Sequence, residues 1–440
     1  MLTQDVRCLS KCFYEHRTMK RRSDRTDRIS SLPDDALARV LSFLSARDAV
    51  RTCVLSKRWR NTWTIVPVLN FDFDEFPTEL VSEDDDDDDI NENIKEELRF
   101  DSFVCSVLDN RGPSHVDTVT FTGEFMDHFC EPSMRWLHRA ALLMPQVISA
   151  MIPYFELEEL NLPDSLFSCA SLELLELIHC PFNGRAYLKQ NSIALGSLKT
   201  LMLVNLVLDD DFAQKLLLGC PVLEDLQLFN CELLISDISS NVLNELILDD
   251  CWILRHMRIS CPALVSLFIS SRKNTVQIIS LENMTSLVYA TINLAGSDDE
   301  NVVDNLPKLK LLSCLSNATS LQLRFLPLPE LKEQLENDIS NCRTFYNLSS
   351  LDIGAWNMVK HFSLVALFLE HSPVLKQLAL SLNRDVIQEM PRRDVSFQLE
   401  YIETVIIFCD EKKLASKLVR LLGRYVKTMG NINVRKFLDG

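Results

Sequence analysis

The chain has 440 residues, of which 47% are hydrophobic and 24% charged, a composition typical of globular proteins with more than one structural unit. It has ten glycines and neither common glycine-rich phosphate-binding motif, which disfavours nucleotide-dependent enzymes of those classes. A net charge of −17 opposes nucleic-acid binding, which relies on neutralising phosphates. No run of 18 apolar residues occurs, so we expect no membrane association and a cytoplasmic or nuclear location.

A helical unit is predicted at residues 28–70, after a disordered basic tail at 1–27. Leu32-Pro33-Asp34-Asp35 puts a proline at the first helical position and two acids in the first turn. Ser45 and Ser56 are candidate caps for two further helices. The first helix has an apolar stripe at i, i+3, i+4 and i+7, formed by Leu37, Val40, Leu41 and Leu44.

Three short helices cannot bury their own apolar surface, so either the rest of the chain or a partner must cover it. The L-P-D-D-A-L opening at Leu32, the C-V-L-S-K-R-W core and the second tryptophan, Trp63, resemble an F-box of the plant type. The resemblance implies a trihelical module that binds a Skp-type adaptor, itself held on a cullin. The resemblance also implies that the adaptor is contacted by Leu32, Pro33, Leu37, Val40, Leu41, Leu44, Val50, Val54, Trp59 and Trp63. Residue type and helical spacing by themselves support only the burial of these positions.

Residues 71–112 are predicted to be a linker with an acidic insertion. The stretch from Leu69 to Phe73 alternates as a strand does. Residues 83–89 are seven consecutive acids, which repel one another and indicate an exposed loop. A solvated insertion is the favoured interpretation, and an acidic surface for basic partners is the alternative.

Residues 113–395 repeat the leucine-rich pattern L-x-x-L-x-L-x-x-[NC]. Copies begin at Val116, Leu157, Leu172, Leu198, Leu223, Leu243, Leu264, Leu348 and Leu375. Alternate side chains of a short strand enter the core, and only stacked repeats can bury them. We therefore predict an α/β fold, a curved solenoid with a parallel β-sheet on its concave face and helices and loops outside. Two of those helices are expected at residues 211–218 and 362–370.

A second signature precedes several strands. Cys220-Pro221-Val222-Leu223 is repeated from Cys261 and, with serine first, from Ser372, and it resembles plant F-box proteins with leucine-rich repeats. The repeat cysteines occur one per repeat, which favours core-lining residues over metal ligands. His179 beside Cys180 suggests a thiol–imidazole pair, but a surface position is the favoured interpretation. No catalytic constellation, metal or cofactor is predicted.

Residues 396–440 form a predicted strand–helix–strand tail, with a strand from Leu399, a helix over 412–427 and a last strand near Asn433. The tail resembles the FBD region that follows such repeats in plants, although the family's usual tryptophan is absent. We expect it to cap the open end of the solenoid.

These resemblances imply a non-catalytic substrate-recognition subunit of an SCF-type ubiquitin ligase, acting by proximity. The alternative is an interaction scaffold that is not coupled to ubiquitin transfer. Aromatic residues among acids favour a target with apolar anchors and basic neighbours. The predicted target-binding positions, which flank the leucines of the strands, are Met202, Asp225, Gln227, Phe229, Glu245, Ile247, Asp249, Ser266 and Phe268.

Overall fold

The computed structural model divides the chain into two compact units, residues 1–198 and 199–440. The predicted tail at 1–27 and the acidic run up to residue 88 lie outside the described residues. The residues described are 29, 31–76, 89–112, 114–123, 130–152, 159–179, 185–271, 279–294, 311–325, 329–341, 344–354, 358–381, 398–409 and 412–436.

The described residues form a mixed α/β fold dominated by parallel strands. The helices are α1 (Asp34–Leu41), α2 (Ala46–Arg51), α3 (Asp89–Asp109), α4 (Cys130–Leu142), α5 (Asp210–Gly219), α6 (Pro329–Asn341), α7 (Met358–Glu370) and α8 (Lys412–Leu422). The strands are β1 (Val68–Asp72), β2 (Thr118–Thr122), β3 (Val147–Ile152), β4 (Glu159–Asn161), β5 (Leu174–His179), β6 (Ala186–Lys189), β7 (Thr200–Val204), β8 (Leu206–Asp209), β9 (Asp225–Phe229), β10 (Glu232–Leu234), β11 (Asp237–Ser239), β12 (Glu245–Ile253), β13 (Met257–Ser260), β14 (Ser266–Ser271), β15 (Ile279–Glu282), β16 (Tyr289–Leu294), β17 (Ser320–Phe325), β18 (Ser350–Gly354), β19 (Gln377–Ser381), β20 (Leu399–Phe408) and β21 (Val426–Arg435).

The first unit begins with the predicted helical module. Its helix α1 starts at Asp34, so Pro33 is the cap rather than the first helical residue, and its carbonyl accepts the Leu37 N–H at 3.0 Å. Ser45 caps α2 as predicted, accepting from the Asp48 N–H. The third helix is a 3₁₀ helix, Trp59–Ile65, and no side chain caps it, so the predicted Ser56 cap is wrong.

The predicted linker contains a helix. Strand β1 pairs in parallel with β2, and α3 lies between them in the chain, so the sheet begins before residue 113. Apolar side chains recur along α3 at helical spacing, and Phe100 and Val104 are fully buried. The Phe100 ring contacts Trp136 of α4 edge-on, at 5.2 Å between ring centroids. This packing makes the second half of the predicted linker part of the core.

One repeat of the first unit uses different residues from those predicted. The strand aligned with β2 and β5 is β3, in which Ile148 and Ala150 occupy the leucine positions. The predicted copy from Leu157 instead contributes Leu160 to the short strand β4, which pairs with β6. The leucine-rich pattern does not reveal β3, because isoleucine and alanine replace the leucine pair in this strand.

In the second unit, ten strands form one parallel ladder in the order β7, β9, β12, β14, β16, β17, β18, β19, β20, β21. The predicted leucines align across it, as Leu226 with Leu246 and Leu267. Each of these side chains is at most 4% exposed. The ladder confirms that the repeats bury one another's leucines.

The length of a repeat decides what returns the chain to the ladder. Where aligned positions are about 20 residues apart, as at Asp225 and Glu245, the described return segments are short strands. These strands form parallel sets, β8–β10–β12 and β11–β13–β15. In the same unit, α-helices are described where the spacing is larger: α5 where it is 25 residues (Thr200 to Asp225), α7 where it is 27 (Ser350 to Gln377) and α6 where it is 30 (Ser320 to Ser350). The two helices predicted at residues 211–218 and 362–370 are therefore present, as α5 and α7, whereas the shorter repeats return through strands.

Asparagine and aspartate adopt the left-handed region where the paired part of a ladder strand ends, with φ of 61° at Asn205 after β7, 49° at Asn230 after β9 and 55° at Asp250, where the register shifts inside β12. The Asn230 side chain also donates to Asn205 Oδ1 at 2.5 Å, which joins neighbouring repeats. The next position holds a buried cysteine in two cases, and Cys251 donates to the Leu228 carbonyl at 3.2 Å. The described cysteines are free thiols, and these two line the core as predicted.

The C-terminal tail extends the ladder. Strand β20 is as predicted, but α8 ends at Leu422 and β21 begins at Val426, because Gly423 to Tyr425 turn the chain. Strand β21 pairs in parallel with β20, so the tail adds two strands instead of covering the end of the ladder. None of the helices in the described ranges has the length and apolar character needed to cross a membrane.

Gly430→Ala is expected to displace β21. A Cβ at this position would clash with the Glu403 carbonyl oxygen and lie 2.9 Å from the carbonyl carbon. Neither backbone atom can move without disturbing the pairing of β20 with β21. We expect a loss of about 2–4 kcal/mol of stability, measured by denaturant unfolding. Gly196→Ala is the control, because nothing lies within 4 Å of the added atom. Equal stability of the two variants would contradict the close approach.

Alkaline pH is expected to destabilise the second unit through its buried thiols. Burial raises the pKa of Cys261 to about 11, whereas an unfolded thiol ionises near pH ~8.5. Between those values only the unfolded chain loses the proton, so stability falls by about 1.4 kcal/mol per pH unit for this group. Cys261→Ala is expected to reduce the slope of the unfolding free energy against pH between pH 8 and 11. Cys53→Ala, which lies outside the second unit, is expected to leave that slope unchanged. Parallel pH profiles for all three proteins would contradict this prediction.

Candidate functional site

The helical module has a small core of its own. Leu37, Leu41 and Trp59, which were predicted to contact an adaptor, are at most 7% exposed and pack with Ala49 and Val66. Leu32 packs against this cluster. These residues hold the module together, and their burial leaves little of their side chains exposed. Of the other predicted contacts, Val50 and Trp63 are half-buried, and those exposed are Pro33, Val40, Leu44 and Val54.

Two turns of the module expose large apolar side chains. After α1, Phe43 is 88% exposed beside the predicted Val40 and Leu44. After α2, Leu55 is 65% exposed beside the predicted Val54. Sequence reasoning missed Phe43 and Leu55 because both follow the helices and lie off the i, i+3, i+4 stripe. Clustered exposed apolar residues indicate a contact surface for a partner.

A charged residue fastens the ends of the module. The Arg58 guanidinium donates to Asp34 Oδ1 at 2.7 Å and also to the Leu32 carbonyl. This joins the start of the third helix to the start of α1, across 24 residues of sequence. The lysine–arginine pair of the C-V-L-S-K-R-W motif thus has a structural function at its second position.

In the second unit, one face of the ladder contains all nine predicted target-binding residues. In β9 and β12 the side chains alternate between buried leucines and half-buried residues of this face. Strand pairing aligns Met202, Gln227 and Ile247, and Ile247 aligns with Phe268. Adjacent strands are about 4.8 Å apart, so aligned side chains form continuous rows.

The rows on either side of this one contain acids. Asp225 aligns with Glu245, which aligns with Ser266, and Phe229 aligns with Asp249. The structure therefore brings three carboxylates and three large apolar side chains together across β9, β12 and β14. We name the nine predicted residues on this surface the acidic–apolar face.

The thiol–imidazole pair considered in the sequence involves His179 and Cys180. His179 is 1% exposed, so its predicted surface position is wrong: it is at the end of β5, where the strand alternation turns it inward. Cys180 lies outside the described residues. No group of three or more His, Cys, Asp or Glu side chains within the described ranges is arranged to hold a metal ion.

Two family models match the chain. The F-box domain matches residues 29–71, and the leucine-rich repeats of the FBD-associated F-box protein At5g56370 match residues 134–289. The first match coincides with the helical module, and the second covers parts of both units.

Similar proteins from Arabidopsis thaliana are named F-box or F-box/LRR-repeat proteins. F-box/LRR-repeat protein At3g58900 is 33% identical over 61% of this chain and 80% of its own length. F-box/LRR-repeat protein 13 is 28% identical over 87% of this chain and 83% of its own length. F-box protein At1g60400 is 34% identical over 46% of this chain, which spans less than half (45%) of that relative. The chain belongs to the plant F-box/LRR-repeat family.

Proposed function

We propose that this chain is the substrate-recognition subunit of an SCF-type ubiquitin ligase, in the cytoplasm or nucleus. The F-box binds a Skp-type adaptor, and through it a cullin, while the acidic–apolar face binds a target protein. The chain itself catalyses nothing. It raises the effective concentration of target lysines near the conjugating enzyme, so its contribution is geometric.

The exposed apolar turns of the F-box are the main support for adaptor binding. The core of the module is formed by residues such as Leu37, Leu41 and Trp59. Phe43 and Leu55 are not part of that core and expose most of their apolar side chains to solvent. A partner that covers them would remove apolar surface from water, a gain of about 25 cal/mol per Å². The small number of anchors is typical of interfaces in which a few residues dominate the affinity.

Target binding is supported by the composition of the acidic–apolar face. Ile247 and Phe268 offer apolar contact area, and the flanking carboxylates favour basic neighbours on the target. This face is the one expected to be concave in a curved leucine-rich solenoid. Its strands are fixed by the buried leucines beneath, so a target would meet a preorganised surface.

A Phe43→Ala, Leu55→Ala variant is expected to bind a plant Skp-type adaptor about tenfold or more weakly, because each change removes an exposed anchor and leaves the core intact. Affinity is measured by calorimetry on the purified full chain. Leu218→Ala is the matched control, since this leucine is 76% exposed on α5 and outside the F-box. Leu32→Ala is less informative because Leu32 packs on the core.

Adaptor binding that the double variant retains would contradict the proposed surface. No binding by the unaltered chain would favour the scaffold alternative. Adaptor binding without ubiquitination of any bound target, in a reconstituted ligase, would also favour the scaffold.

A Phe268→Ser, Asp225→Asn variant is expected to lose target ubiquitination while keeping adaptor affinity, because the changes lie on the face and not in the F-box. The target is first identified as a protein that accumulates when the chain is deleted, and is then assayed in a reconstituted ligase. Glu224→Gln is the matched control, because this exposed acid neighbours Asp225 but lies outside the face. Unchanged ubiquitination by the double variant would exclude the acidic–apolar face as the target site.

A further inference from the structure

The last strand of the second unit's ladder, β21, has one edge that pairs with no described strand. Strand β21 pairs with β20, and no other strand within the described ranges pairs with it. The Cys409 N–H donates to the Arg435 carbonyl at 2.9 Å, so Arg435 turns its backbone groups toward β20. Successive residues of a strand turn these groups to opposite sides. Those of Val434 and Ile432 therefore point away from β20 and are available to another strand.

The buried rows of the ladder continue onto this edge. Val405 aligns with Ile432, and Ile407 with Val434. The two residues of β20 are fully buried, whereas Ile432 is 40% and Val434 48% exposed. A further strand alongside β21 would bury both side chains as well as pair the backbone.

The segment that comprises α8 and β21 is basic. Residues 412–436 contain eight lysines and arginines and no acid, in a chain with a net charge of −17. Lys427 is paired with Glu400 at 2.6 Å, and this contact holds the pKa of Glu400 below its usual range. The structure gives Arg424, Arg435 and Lys436 no ion pair with any described residue. Positive charge therefore remains available beside the edge.

We propose that the outer edge of β21 takes up an extended acidic segment of a partner protein as an additional strand. Backbone hydrogen bonds to Ile432 and Val434 would align it, and acidic side chains would meet the basic segment. A second copy of this chain fits less well, because antiparallel pairing of two β21 strands brings Lys427 of each copy close to Arg435 of the other. The proposal is independent of the adaptor and of the acidic–apolar face.

The test uses the full chain and a fluorescein-labelled peptide of about ten residues that alternates valine and glutamate. Binding is measured by fluorescence anisotropy. We expect the acidic peptide to bind, and two variants of it to bind about tenfold or more weakly. One replaces glutamate by lysine, which reverses the charge. The other has N-methyl groups on alternate backbone amides, which prevents strand pairing.

Val434→Pro is the matching change in the protein. It removes an outward N–H at an edge, where proline is tolerated, and Val434→Thr keeps that N–H as the control. We expect Val434→Pro to weaken binding about tenfold or more, and Val434→Thr to weaken it little. If Val434→Pro alters the unfolding temperature, the N-methylated peptide makes the same test on the unaltered chain.

Three results would overturn the proposal. Equal binding of the N-methylated and unmodified peptides would show attraction by charge alone. Absence of binding by the acidic peptide would exclude this class of partner. A dimer in sedimentation experiments that Val434→Pro dissociates, together with no peptide binding, would assign the edge to a second copy.

Discussion

The burial of leucines between neighbouring strands is the constraint on which the second unit depends. A single repeat places side chains such as Leu226 on one side of a short strand, where it has no layer of its own to cover them. The next strand, with Leu246 in register, supplies that cover. Because side chains alternate along a strand, the same register also fixes the opposite face and aligns Gln227 with Ile247. The acidic–apolar face is thus a consequence of the core.

The repeats could be predicted because they leave a periodic trace in residue type, and the F-box could be predicted because its motif residues resemble those of the family. Leucines at L-x-L spacing specify a strand in register with its neighbours, and the predicted strands at Leu226 and Leu246 are present. Helix α3 has an equally clear pattern, with apolar residues at helical spacing from Phe100, but the adjoining acidic run is typical of a loop. The residues that the F-box exposes could not be predicted in this way, because Phe43 lies in a turn, where spacing says nothing about burial.

The short return strands were a different failure of prediction. A leucine-rich pattern specifies the ladder strand and leaves the return path open, so helices and strands are both compatible with it. Chain length decides between them. About 20 residues per repeat leave too few for a ladder strand, two turns and an α-helix. The same leucine pattern therefore coexists with strands near Ile238 and with a helix such as α7.

The scarcity of glycine follows from the same architecture. Left-handed turns after the strands would suit glycine, but Asn205 and Asn230 occupy them and add a hydrogen bond between repeats that glycine cannot make. Glycine is required instead where two backbones approach, as Gly430 does to the Glu403 carbonyl. This close approach allows β21 to pair with β20 along one edge, and the other edge of β21 pairs with no described strand. Gly430, which allows β21 to pair with β20, is therefore also the residue that positions the strand edge that we propose as a docking site.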